Sequence, residues 1–170
     1  GGIMAFDTAE CYGNGESERR LGRALGSRKN DVLVISKITP DAEFTVEGYQ
    51  SRLERTLKNL GRDYVDAYLV HWPGMYIDSM DKNQQLCDIM AALKDSGKTR
   101  TVGISNFQAK DIILMSIAAS LFTVNQVPYN LLERAYEGEP LRQCEKAGIG
   151  YMACSPIARG LLAGRLDEEA

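Results

Sequence analysis

The chain has 170 residues, 44% of them hydrophobic, with a net charge of −3 and a single histidine. That length suits one domain with a substantial core. The acid-leaning balance, with no basic stripe, argues against a nucleic-acid partner, and no apolar run approaches the length of a membrane span.

The chain opens Gly1-Gly2-Ile3, with no basic segment of the kind that starts a signal peptide. Its first methionine, Met4, falls inside a predicted strand, so the chain is expected to be a piece of a longer one. Cys11, Cys87, Cys144 and Cys154 form no Cys-x-x-Cys pair, and with one histidine no metal site is expected. Reduced thiols in a cytoplasmic protein are the expectation.

In chain order, the pattern predicts a strand over 3–6, a helix over 16–25, a strand over 32–36 and a helix over 46–60. A strand over 64–70, a helix over 82–96, a strand over 101–104 and a helix over 109–119 follow. The last elements are a strand over 122–125, a helix over 140–147 and a strand over 149–154. Val32-Leu33-Val34-Ile35 is continuously apolar, as a strand buried on both faces would be. Val46, Tyr49, Leu53, Leu57 and Leu60 recur at steps of three and four, marking one apolar helix face. Thr45 is placed to cap that helix, with Gly61 just past its end, and Gly97 and Gly148 follow other helices. The charges of residues 16–23 suit a solvated helix face, and most methionines suit helix core.

Alternating β and α elements imply a parallel sheet with helices outside. No Gly-x-Gly-x-x-Gly stands at an early strand–helix turn, which lowers the open dinucleotide-binding sheet and favours a (β/α)8 TIM barrel. A complete barrel takes roughly 250 residues, so this chain holds about five and a half units of eight. The expectation is one barrel domain over residues 1–170, incomplete at both ends, with open sheet edges through which it can self-associate.

Asp7, Tyr12, Lys37 and His71 stand at or just after predicted strand ends, the face of a barrel where chemistry is found. An acid, a phenol, an amine and an imidazole on one rim make a proton-transfer site. Taken singly, each has a plainer role: Asp7 as a junction cap, Tyr12 as a half-buried loop aromatic, Lys37 solvated, His71 packed against Trp72 and Pro73.

These segments resemble the aldo-keto reductase family over nearly the whole chain. Phe6-Asp7-Thr8-Ala9-Glu10-Cys11-Tyr12-Gly13 is similar to its first signature, Ser36-Lys37 to its lysine motif and Tyr68-Leu69-Val70-His71-Trp72-Pro73 to its histidine motif. Val102-Gly103-Ile104-Ser105-Asn106-Phe107 and Asn125-Gln126-Val127 are similar to its nicotinamide-binding segments. By this resemblance the first strand and helix, the eighth strand and helix, and the adenosine-binding segment lie outside the chain.

The resemblance implies NAD(P)H-dependent reduction of a small aldehyde or ketone, with NADPH the family default. Tyr12 would donate the proton. Lys37 would lower the phenol's pKa by stabilising its anion, Asp7 would hold Lys37, and His71 would orient the carbonyl. Ser105, Asn106 and Gln126 would bind the carboxamide, although Ser105 and Asn106 are also good caps for the helix that follows. Cys154 falls where the family places an aromatic against the nicotinamide, which implies weaker or altered cofactor binding; a shift of one residue would put Ala153 or Ser155 there. Ser155, Ile157 and Arg159 match the loop around the pyrophosphate, where Arg159 could equally be a solvated side chain. Trp72 is a candidate pocket wall or a packing residue, with Met75 and Tyr76 in the loop beyond it. Two other readings stay open: an inactive or regulatory subunit of this type, and an aldolase using Lys37 as a Schiff base.

Overall fold

The structure is a computed structural model and describes residues 2–74, 78–115 and 119–164. Six strands form: β1 (Ala5–Asp7), β2 (Leu33–Ile38), β3 (Val65–Val70), β4 (Thr99–Ser105), β5 (Phe122–Pro128) and β6 (Gly150–Cys154). Among them run α1 (Glu16–Leu25), α2 (Val46–Leu60), α3 (Met80–Asp95), α4 (Ala109–Leu114) and α5 (Glu139–Ala147). The strands lie side by side in sequence order and every pairing is parallel. Each return therefore crosses by way of the outer layer, as the handedness of parallel crossovers requires.

The sheet is strongly curved. Gln126 Nε2, on β5, donates to Asp7 Oδ1, on β1, at 3.0 Å, although β2, β3 and β4 lie between them. A flat sheet would hold these strands about 19 Å apart. Six parallel strands curled with helices outside make part of a (β/α)8 barrel. Among the described residues, β1 and β6 each leave one edge unpaired.

The core lies between the outer face of the sheet and the helices. Tyr49, Leu53, Leu57 and Leu60 of α2 are buried against it, as the helical period predicts. Thr45 Oγ1 accepts from Gly48 N at 3.0 Å, and Gly61 takes the left-handed conformation after the last turn. On the inner side, Gly103 lets β4 approach Leu69 and Val124 more closely than any side chain would permit.

Several local expectations change. Leu33 is 52% exposed, so β2 is not buried on both faces; Val34 packs outward while Leu33 points into the open interior beside three-residue β1. Glu18 is buried within the charged stretch of α1, accepting from Ser36 Oγ at 2.7 Å and Asn59 Nδ2 at 2.9 Å. The helix predicted over 109–119 ends at Leu114, with Met115 as its C-cap. Ser105 and Asn106 do not cap it. Gln108 does, its N–H bound by Asp111 Oδ2 at 2.8 Å. Met90 and Met115 are core, whereas Met80 and Met4 are exposed.

Candidate active site

The parallel register sets the rim. Asp7 ends β1, Lys37 is the penultimate residue of β2 and His71 immediately follows β3. Within β2 the pleat sends Ser36 outward to Glu18 and Lys37 inward. Lys37 is 1% exposed, and such a buried ammonium requires partners. It donates to Asp7 Oδ2 at 2.7 Å and to the Thr8 carbonyl at 2.8 Å. Tyr12 follows in the β1–α1 loop, 41% exposed, with Lys37 Nζ 5.4 Å from its ring centroid. Its ring meets the His71 imidazole edge to face at 5.6 Å. The four predicted rim residues therefore gather in one place.

Their electrostatics differ from the expectation in one respect. Burial, then the Asp7 carboxylate, push the Tyr12 phenol above its ordinary pKa. The phenol consequently holds its proton at neutral pH. Burial and then the Lys37 charge press His71 down to about 4, so its imidazole is neutral.

The β1–α1 loop is clamped by a buried carboxylate that sequence reasoning missed. Glu10 accepts from Thr39 N at 2.8 Å, Thr39 Oγ1 at 3.0 Å, Arg52 Nε at 2.8 Å, Arg52 Nη2 at 2.7 Å and Arg55 Nη2 at 3.0 Å. Burial alone would raise its pKa, but Arg52 and Thr39 together outweigh that and hold it below the usual range. At the loop's other end, the Thr8 and Ser17 hydroxyls bond at 2.8 Å. No helical or strand period marks Glu10; the available signal was a charged residue inside a signature otherwise short of charge.

The neighbouring rim carries amide groups. Asn106, at φ +63°, donates from Nδ2 to the His71 carbonyl at 2.9 Å and to Ser105 Oγ at 3.1 Å. Gln126 donates from Nε2 to Asp7 Oδ1 and to Met152 Sδ. Among the described residues, Asn106 Oδ1 and Gln126 Oε1 have no hydrogen-bond partner. Two open amide oxygens are acceptors that suit the two N–H donors of a carboxamide, so these residues fit a nicotinamide. Ser105 is buried and donates to the Gln126 carbonyl at 2.8 Å. Asn125, also missed, holds the chain after β4 by accepting from Phe107 N at 3.4 Å and donating to Phe107 O at 2.9 Å. Tyr136 OH donates to the Asn106 carbonyl at 3.1 Å.

Cys154 ends β6 on the same face as Met152, toward the interior. Beyond it, Ser155, Ala158 and Arg159 all have positive φ, a concentration of left-handed backbone typical of a functional loop. Ile157 and Arg159 are exposed there, and the Ser155 carbonyl is held by Asn130 Nδ2 at 3.0 Å. Trp72 is 40% exposed and stacks at a tilt on His71, with centroids 4.6 Å apart, so it lies at the rim rather than in the core. Met75 and Tyr76 lie outside the described residues.

A partial parallel barrel with an acid, a phenol, an amine and an imidazole gathered on its C-terminal rim belongs to the class of barrel proteins that work at strand ends. The chain is a member of the aldo/keto reductase family, whose profile matches residues 1–170. It is 33% identical over 177 residues to the aldo-keto reductase YhdN of Bacillus subtilis, covering 99% of this chain and 52% of that protein. It is 32% identical to the methylglyoxal reductase YeaE of Escherichia coli, covering 97% of this chain and 56% of the relative. Among solved structures, the aldo/keto reductase from Klebsiella pneumoniae in complex with NADP and acetate superposes with a TM-score of 0.84 at 30% identity, covering 98% of this chain and 56% of that one. The chain thus spans about half the length of the relatives it matches.

Proposed function

We propose that the protein carrying this chain reduces a small aldehyde or ketone to the alcohol, using NADPH. The observation that carries the proposal is the convergence of Asp7, Lys37, Tyr12 and neutral His71 on one rim, beside the open amide oxygens of Asn106 and Gln126. A family member in complex with NADP and a relative named a methylglyoxal reductase support the cofactor and the substrate class.

Reduced nicotinamide, when bound, supplies the hydride for the carbonyl carbon. Asn106 and Gln126 would hold its carboxamide through their amide oxygens, with Cys154 near the ring and Ser155, Ile157 and Arg159 along the phosphates. His71 donates a hydrogen bond to the carbonyl oxygen and orients it. As negative charge grows on that oxygen, the Tyr12 phenol transfers its proton there, and the new alcohol keeps it. Lys37, with Nζ 5.4 Å from the Tyr12 ring centroid, would favour the phenolate so formed, and Asp7 and the Thr8 carbonyl hold Lys37 in place. Tyr12, partly exposed, then recovers a proton from solvent.

The test has two steps on the intact protein. Quenching or enhancement of nicotinamide fluorescence at micromolar NADPH is expected, followed by loss of NADPH absorbance on adding an aldehyde. Cofactor binding with no turnover across a broad carbonyl panel would reject reduction and favour a binding or regulatory subunit.

A further inference from the structure

Cys11 lies one residue before Tyr12, and its Sγ is 3.5 Å from His71 Nδ1. The proton transfer above uses only the far side of that imidazole, so this contact has no part in it so far. His71 is held by its backbone and flanked by two aromatic rings. Its backbone N–H bonds the Ile38 carbonyl at 2.9 Å and its carbonyl accepts from Asn106 at 2.9 Å. Tyr12 meets one side and Trp72 stacks on another. Nδ1 faces the Cys11 sulfur, and among the described residues Nε2 has no hydrogen-bond partner.

A neutral imidazole has one N–H and one lone pair, and the partner at one nitrogen decides what the other offers. A thiol is a weak donor and a weaker acceptor. If Nδ1 carried the proton, a strong donor would be spent on a poor acceptor, and Nε2 would turn a lone pair toward the substrate oxygen. If the thiol donates to Nδ1, the strong donor stays at Nε2, on the open rim. Cys11 is exposed at the surface, yet partial desolvation and then the neighbouring Glu10 charge push its thiol above its ordinary pKa, so its proton is present at neutral pH.

We propose that Cys11 is a positioning residue: its S–H donates to Nδ1 and holds His71 as the Nε2–H tautomer, the form that can donate to a carbonyl oxygen. The role of Nε2–H in reduction rests on the function proposed above; the tautomer itself does not.

Nitrogen-15 NMR of histidine-labelled protein reads this directly. His71 is the one histidine of the 170 residues, and an H71Q control assigns its signals in the intact protein. Wild type should show Nε2 protonated and Nδ1 as an acceptor. C11A should shift the tautomer ratio toward Nδ1–H by roughly twofold, the low end for a single hydrogen bond, as befits a weak thiol donor. C11S, whose hydroxyl also donates, should restore it. The kcat of carbonyl reduction should fall in C11A in proportion to the Nε2–H fraction lost in the NMR spectrum, with KM little changed, and recover in C11S. An unchanged ratio in C11A, or an Nδ1–H tautomer in wild type, overturns the proposal. A tautomer that responds as described in a protein that reduces no carbonyl would instead overturn the function above, and with it the role of Nε2–H.

Discussion

Removing the Glu10 carboxylate should unfasten the loop that carries Tyr12. In Glu10→Ala the Thr39 N–H, the Thr39 hydroxyl and the Arg52 guanidinium lose their shared acceptor. Breaking a buried pair by deleting one partner costs about 3–5 kcal/mol. Arg52 is 22% exposed and keeps Asp41 at 2.9 Å, and half-exposed Arg55 contributes little, so the low end, about 3 kcal/mol, applies. At about 2–4 °C per kcal/mol for a domain of this size, Tm should fall by about 6–12 °C. Calorimetry at pH 7 measures it, and Glu10→Gln should lie between wild type and Glu10→Ala. The Glu10 pKa is depressed in the folded protein, so its contribution is present above the unfolded value of about 4 and is lost as pH falls further. The gap between wild type and Glu10→Ala should therefore close below about pH 4. A Glu10→Ala protein melting within about 1 °C of wild type at pH 7 would refute the clamp.

Other consequences follow from the same geometry. The His71 ring should titrate near pH 4 rather than its ordinary 6.5; because the unfolded chain binds that proton first, stability should decline as pH falls from the unfolded value toward the folded one. Proton NMR of the ring checks it, and a midpoint above 6 would contradict the burial argument. Gly103→Ala would bring a Cβ to 2.6 Å from Leu69 Cδ2, 2.7 Å from Val124 Cγ1 and 2.8 Å from the Val124 carbonyl. The overpacking should cost about 1–3 kcal/mol by denaturant titration.

Features set by local periodicity could be read from the sequence. The α2 face, its Thr45 cap and its Gly61 stop depend only on residues within a few turns, and they form as the spacing predicts. The rim residues were legible because the parallel register carries successive strand ends to one face. Long-range polar pairing was not legible: Glu10 meets Arg52 and Arg55, more than forty residues away, only once the sheet curves. The same holds for the Gln126–Asp7 bond, which spans the interior. Leu33 and Glu18 reversed their expected environments because composition does not say which face of a strand or helix the tertiary structure leaves open. The direction of the Tyr12 shift was missed because burial of the phenol, the largest cause, and the approach of the Asp7 carboxylate are both set by tertiary structure.

The most direct test of carbonyl reduction at this rim is Tyr12→Phe, made in the intact protein and followed by single-turnover loss of NADPH absorbance with a reactive aldehyde. The aromatic ring and its contact with His71 survive; only the proton is removed. NADPH binding should stay near normal while the chemical step slows at least about a hundredfold, the lower range for a positioned acid. Turnover at the wild-type rate would show that the proton comes from elsewhere and would contradict the role assigned to Tyr12.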